Sequence, residues 1–356
     1  MSKLTVTLQP IEGYFFDNEN RRSSGYFPDY TPYPQQTSIV EMMRWYILSA
    51  WNEAFPEQNL LYENGNIRNK KLAKELIGET GFRMSVTWRY GKIYSLSELM
   101  LFDGKSVLLP SEPRNDSDNP FLLRTIPGQT FFNNKRLDYI PVFDDYDSKQ
   151  PEKEGWVSSS GQFFSIDDLF LKEVKKQEAL QGTFNKQVFF HMANRDLRFV
   201  FQVDVDDDIK NMLIGQQIIN LGGSFKFIVK VSSPEYILFT IPSPMEKAKY
   251  YSSNPKFIKL VLTSDACFRG NPYMESIIGV SRLKHFRLPL DKGTSYEKSD
   301  KKVIHGNLLT MIERGAVFYF SDGNQLSRWS TSCGVNSSDF RNIGYNQYVI
   351  IQPSVG

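Results

Sequence analysis

Leu4-Thr5-Val6-Thr7-Leu8, followed later by Pro34-Gln35-Gln36-Thr37-Ser38-Ile39-Val40-Glu41-Met42-Met43-Arg44-Trp45-Tyr46-Ile47-Leu48, is the stretch that decides the fold. The first five residues alternate apolar and polar, the period of a half-buried strand, and a strand over 3–9 is expected. Pro34 stops anything earlier and Thr37 or Ser38 can cap free amides, so a helix over about 37–55 follows. Ile39, Met42, Met43, Tyr46 and Ile47 recur at helical spacing and should face a core. Between strand and helix lies a polar loop, Asp17-Asn18-Glu19-Asn20-Arg21-Arg22-Ser23-Ser24-Gly25. Arg21, Arg22 and Arg44, two glutamine amides and backbone N–H groups thus gather near one helix start, a natural seat for phosphate.

Further along, a second helix fits Arg68–Ile77, ended by Gly78, and Phe82–Trp88 alternates like a strand. A turn at Tyr90-Gly91-Lys92 leads to more strand, up to Leu101. Ser165-Ile166-Asp167-Asp168 has the capping-box pattern and predicts a helix carrying Leu169, Phe170 and Val174. After Gly182 the texture is strand: Gln187–Met192, Leu197–Val205, Gly223–Val231 and Tyr236–Thr240, with a short helix at Asp208–Asn220. The tail adds strands at Phe257–Thr263, Ala316–Phe320 and Tyr345–Gln352. Residues 110–120 and 141–162 read as long loops, a type that is commonly functional. This order predicts an α+β protein of two ferredoxin-like (RRM-like) halves with antiparallel sheets and inserted loops, residues 1–180 and 181–356.

The chain has 356 residues, enough for two domains, and 40% of them are hydrophobic, which suits a folded protein. No apolar run approaches the roughly 20 residues of a membrane span, and the N-terminus lacks a signal-peptide core, so a cytoplasmic protein is expected. Cys267 and Cys333 are the only cysteines and form no CxxC pair, which argues against a disulfide framework and a cysteine zinc site. The formal charge is only +2 but uneven. Arg68, Lys70, Lys71, Lys74, Arg83, Arg89 and Lys92 cluster, and Asp144, Asp145, Asp147, Glu152 and Glu154 oppose them. The plainer reading of both runs is a solvated surface.

Other motifs carry plain alternatives. The GxxG of Gly78 to Gly81 follows a helix and precedes a strand, unlike a KH loop, and is better read as a helix-ending glycine pair. Asp204, Asp206, Asp207 and Asp208 fail the calcium-loop template, with Ile209 where glycine is needed and Gly215 where glutamate is needed. His191, His285 and His305 are the only histidines, none at metal-binding spacing, and His191 reads as a satisfied strand residue. No catalytic, cofactor or metal constellation is found. The tail, Gly315-Ala316-Val317-Phe318-Tyr319-Phe320 with Ser332-Cys333-Gly334-Val335-Asn336 and Gly344-Tyr345-Asn346, reads as a strand with glycine-bearing loops. There a backbone can come close to another backbone or to phosphate.

Pro34-Gln35-Gln36-Thr37-Ser38…Met43-Arg44, Glu75-Leu76-Ile77-Gly78…Phe82 and Lys92-Ile93…Leu96-Ser97 together resemble the RAMP proteins of type III CRISPR effector complexes. Phe184-Asn185-Lys186-Gln187, Arg198-Phe199-Val200-Phe201 and Leu221-Gly222-Gly223 continue the pattern, and Gly315-Ala316-Val317 with Ile343-Gly344-Tyr345-Asn346 carries it to the C-terminus. The likeness is greatest to the third-subunit family of the III-B (Cmr) complex.

The resemblance implies a non-catalytic subunit without cofactors. It would bind the 5′ tag of the crRNA and dock on the large polymerase/cyclase-like subunit and on the backbone RAMP subunits. It places Gln36, Thr37, Arg44, Lys186, Gly334, Asn336 and Gly344 on or behind the RNA surface. Arg21 and Arg22 join them as phosphate contacts, with aromatic stacking on splayed bases. One departure matters: relatives carry glycine where this chain has Glu41, and pairing with Arg44 three residues on is expected instead. The alternatives are a RAMP endoribonuclease that processes precursor crRNA, disfavoured by the absence of histidine before residue 191, and a purely structural subunit.

Overall fold

The computed structural model describes residues 1–18, 21–22, 25–26, 29–78, 82, 89–115, 118–121, 123–132, 135–143, 153–178, 184–221, 225–234, 239–287, 308–335 and 337–353. Every pairing of named strands is antiparallel, and the fold rests on two sheets. In the first, strand Ser2–Pro10 sits centrally between Arg198–Val205 and Phe225–Ser232, with Gly215–Leu221 at the edge beyond the latter. On the other side of Arg198–Val205 lie Ile93–Leu96 and Met100–Phe102, and the sheet runs on through Val107–Pro110, Gly155–Val157 and Phe163–Ser165. Strand Ser2–Pro10, helix Gln36–Ala54 and strand Met100–Phe102, with Arg198–Val205 slotted between the two strands, make a split β-α-β unit. The sheet takes strands from both sides of residue 180, so the expected 180/181 boundary runs through it.

The second sheet has the order Ile278–Val280, Val317–Phe320, Ile258–Leu262, Tyr348–Ile351. Alternation along the strands decides what each face meets. In Arg198–Val205, Phe199, Phe201 and Val203 join Ile39, Met43, Tyr46 and Ile47 of helix Gln36–Ala54, whereas Val200 faces the other way. Val200, Phe102, Val107 and Leu109 pack on Val261, Val317, Tyr319 and Val349 of the second sheet. The opposite face of that sheet, Leu260, Phe318 and Phe320, buries Trp329 of helix Gly323–Cys333. The layers therefore run helix, sheet, sheet, helix, and burial of each such large apolar side chain contributes about 1.5–3 kcal/mol.

Between the sheets, carboxylates of the first side meet cations of the second. Glu98 Oε1 lies 2.6 Å from Lys247 Nζ and accepts from Thr263 Oγ1 at 3.0 Å. Glu112 pairs with Lys259, both about 3% exposed or less, and accepts from Ser252 Oγ at 3.1 Å. Glu154 pairs with Arg282 nearer the surface.

Several local expectations change. Helix Gln36–Ala54 is capped at Gln35 with no side-chain bond, so Thr37 and Ser38 are not the cap. The capping box at Ser165 forms, with Asp168 N donating to Ser165 Oγ at 3.2 Å, but the helix is one turn, Ile166–Leu169. The chain then becomes strand Phe170–Glu178, paired in register over nine residues with Phe184–Met192. Pairing with Phe184–Met192, rather than an apolar period, sets this strand, since Leu171 and Val174 are exposed. The helix expected over Asp208–Asn220 is likewise one turn, Lys210–Leu213, ahead of strand Gly215–Leu221. Helix Gly323–Cys333 and the hairpin Leu123–Phe132 with Lys135–Phe143 were not anticipated. Residues 83–88, most of 235–240 and 144–152 lie outside the described residues.

Candidate nucleic-acid interface

The start of helix Gln36–Ala54 is covered by the chain's own C-terminal loop. Gln35, Gln36 and Thr37 are buried. With its amide turned to satisfy both ends, Gln36 donates to Ile343 O at 3.2 Å and accepts from Leu99 N at 2.9 Å. The Tyr345 hydroxyl donates to Gln35 Oε1 at 3.3 Å. Gly344 has φ +87°, and a Cβ there would collide with the Ser97 carbonyl oxygen. Of the two uses a glycine offered here, the close approach of backbone to backbone is the one taken. Asn346 finishes the plug: its Oδ1 accepts from Cys267 N at 2.8 Å and its Nδ2 donates to Val335 O at 3.2 Å.

Arg44 lies further along the same helix and is 2% exposed. Its Nη1 pairs with Glu41 Oε1 at 2.8 Å, the partner expected from the sequence. Its Nε donates to Ile77 O at 3.1 Å, so a cation closes the C-terminal end of helix Lys70–Ile77. The guanidinium is sandwiched by Phe82 and Tyr90, 5.6 and 5.7 Å from the ring centroids. Gly78, at φ +75°, caps the helix as the glycine-pair reading required.

Arg21–Arg22 pairs with Gly25–Tyr26 on a hairpin whose lower rungs are Phe16–Asn18 and Asp29–Thr31. Lys186 is on strand Phe184–Met192, in register opposite Lys176. The roots of these two hairpins are joined. Tyr14 N donates to Phe190 O at 3.0 Å and Phe190 N to Tyr14 O at 2.7 Å. Phe15 packs on Tyr30, Phe189 and Phe225 at 4.9, 5.4 and 4.8 Å between centroids. Gly334 is the left-handed C-cap of helix Gly323–Cys333, beside Arg269. Asn336 lies outside the described residues. The candidates thus divide into a buried seam (Gln36, Thr37, Gly344), a buried clamp (Arg44), a helix cap (Gly334) and two co-rooted hairpins (Arg21, Arg22, Lys186).

Next to the first hairpin's base is a cleft that sequence reading missed. A cavity of about 100 Å³ is lined by Thr31 and Tyr33 from that side, and by Lys153, Arg282, Lys284 and Arg314 opposite. At its floor Asp265 accepts from Arg314 N and Nη2, both at 3.0 Å, and pairs with Lys284. Burial alone would raise the Asp265 carboxyl; Arg314 and Lys284 outweigh it and hold the group well below the usual carboxylate range. Arg314 stacks 5.0 Å from the Tyr33 centroid. At the rim, Lys153 pairs with Asp118 at 2.8 Å and Arg282 with Glu154, both pairs substantially exposed. Exposed pairs of this kind exchange partners at little cost, so the rim can turn its cations to an anion while the floor stays paired. The available signal was the period-two placement of Arg282 and Lys284; Arg314 is brought in only by tertiary structure.

Other candidates resolve locally. Among the described residues no group of three or more His, Cys, Asp or Glu could hold a metal. Asp204 accepts from Ser95, Asp206 and Asp208 from Lys92, and Asp207 from Ser2. His191 Nε2 lies 3.0 Å from Glu173. Burial pushes both cysteine thiols up to about 11. No helix among the described residues is long and apolar enough to cross a membrane.

No protein-family model matches the sequence, and no curated protein does. Solved structures do match. A chain of the type III-B Cmr-beta complex bound to cognate target RNA superposes with a TM-score of 0.50 at 10% identity, covering 97% of this chain and 96% of that one. A chain of the same kind of complex with target RNA and AMPPnP gives 0.44 at 11% identity, covering 98% and 99%. A chain of the Csm1-Csm4 cassette with AMPPNP gives 0.32 at 8%, covering 88% and 86%. The first likeness reaches the level of a shared fold; at such identities it bears on fold alone.

Proposed function

We propose that this chain is a non-catalytic subunit of a type III-B CRISPR RNA-guided complex, binding the 5′ tag of the crRNA and bridging the large polymerase-like subunit to the backbone subunits. The observation that carries the proposal is the fold shared along 97% of the chain with a subunit of a Cmr complex. The ordered sequence motifs point the same way independently. In this reading the two sheets are two degenerate ferredoxin-like halves. The second sheet reads 2-3-1-4 in chain order, and so does the centre of the first when only Ser2–Pro10, Met100–Phe102, Arg198–Val205 and Phe225–Ser232 are counted, Gly215–Leu221 and further strands being added around it.

The RNA would run over the hairpin bearing Arg21 and Arg22, past Lys186, and along the cleft rim at Lys153 and Arg282. Gln36, Arg44 and Gly344 would support that surface from within, since their polar groups are engaged by protein, and buried Thr37 would do so by packing. The test is guide-RNA retention by the assembled complex. Reversal of both hairpin arginines, Arg21→Glu with Arg22→Glu, is expected to remove tag protection while leaving the thermal midpoint unchanged. Unaltered protection would refute the tag-binding role. Cleavage of repeat RNA by the isolated chain would favour the endoribonuclease instead, and crosslinks from RNA to neighbouring subunits only would favour a purely structural subunit.

A further inference from the structure

Among the described residues four aromatic side chains are exposed, and three of them, Trp45, Phe55 and Tyr62, lie between residues 45 and 62. Trp45 is 41% exposed on the outward stripe of helix Gln36–Ala54, with Glu41 and Ser49 one turn to either side. The turn at residues 62–66 folds beside it, held by Tyr62 N to Asn66 O and Gly65 N to Tyr62 O, each 2.8 Å. Gly65 closes that turn at φ +80°, and the position a Cβ would take lies 3.9 Å from the indole. Tyr62 is 52% exposed, and the Arg68 guanidinium stacks 5.5 Å from its centroid. Helix Lys70–Ile77 follows at once and presents Lys70, Lys71 and Lys74 to solvent. From residue 59 to 78 there are four cations and two carboxylates, Glu63 and Glu75. Phe55 packs on Trp51 at 4.7 Å between centroids, whereas Trp45, flanked by Gly65, and Tyr62, with Arg68 on its ring, keep 41% and 52% of their surface open.

We propose that Trp45, Tyr62 and Arg68, with Lys70, Lys71 and Lys74, form a second binding surface, for single-stranded RNA of no fixed sequence. Exposed rings beside cations are the chemistry of a stacking platform: the rings take base faces, which every nucleotide offers, and the lysines follow the phosphates. None of these residues lines the cleft at Arg282 and Arg314. An acidic protein surface would need the lysines but would have little use for two adjacent outward rings.

The experiment measures binding of the full chain to a fluorescent uridine 15-mer lacking any guide tag, over a range of salt. Trp45→Ala with Tyr62→Ala is expected to weaken binding about tenfold or more, and Trp45→Phe with Tyr62→Phe to restore most of it. Lys70→Gln with Lys71→Gln is expected to reduce the slope of log affinity against log salt by about 1.4. Arg21→Glu with Arg22→Glu, which tests the tag surface, should leave tagless RNA bound through this platform. Affinity and slope unchanged in the platform variants would overturn the proposal. So would platform variants that keep RNA affinity while losing a protein neighbour from the assembled complex.

Discussion

The first sheet has nine strands and the second four, and a different helix covers the outer face of each. The first carries the long crossover helix Gln36–Ala54 and, between Arg198–Val205 and Gly215–Leu221, only the turn Lys210–Leu213. The second has irregular chain between Leu262 and Ile278 and carries the helix Gly323–Cys333 after Val317–Phe320. Each kept helix covers the outer face of its own sheet, and the inner faces cover each other. The difference teaches that strand pairing and the shared inner core carry the topology.

Variants can strain that comparison. The largest effect is expected from Trp329→Ala, which empties the second sheet's outer core among Phe268, Phe318 and Phe320 and should cost about 3–5 kcal/mol in denaturant unfolding. If the inner core couples the sheets, the transition stays single. A first transition confined to residues 258–351, read by hydrogen exchange, would show that they unfold separately. Lys259→Met leaves Glu112 buried without its counterion and is expected to cost roughly 3 kcal/mol, much of it recovered by Glu112→Leu in the same chain. Gly344→Ala forces a left-handed residue against Ser97 and should lose about 1–3 kcal/mol by the same measurement.

Acid supplies a gentler probe of the cleft floor. The Asp265 carboxyl is held below its unfolded value, so its contribution is complete above about pH 4 and is lost as pH falls further. Midpoints measured across pH 2–6 should drop more steeply in the wild type than in Asp265→Asn.

How far the sequence reached differed between the two halves for physical reasons. Strand Ser2–Pro10 and helix Gln36–Ala54 were legible because period two and period 3.6 are uninterrupted there and Pro34 marks the break. Helix Gly323–Cys333 was not anticipated, although Asp322 and Gly334 cap it, because its body is mostly Ser, Thr, Asn and Gln and only Leu326, Trp329 and Cys333 mark a face. The Glu41–Arg44 pair was legible as a local spacing. Burial of Gln36 under Ile343 and the assembly of Arg282, Lys284 and Arg314 around Asp265 were not, since each joins segments far apart in the chain. Gly344 stood out correctly as a place of close approach, but the partner is a backbone carbonyl.

The decisive measurement is a crosslinking map of the assembled complex carrying guide RNA substituted with a photoreactive base at each position of the 5′ tag. Tag positions are expected to mark residues 21–22 and the cleft rim near Lys153 and Arg282, and to lose those marks in Arg21→Glu with Arg22→Glu. Tag crosslinks that fall wholly on other subunits, with this chain unmarked, would contradict the assignment.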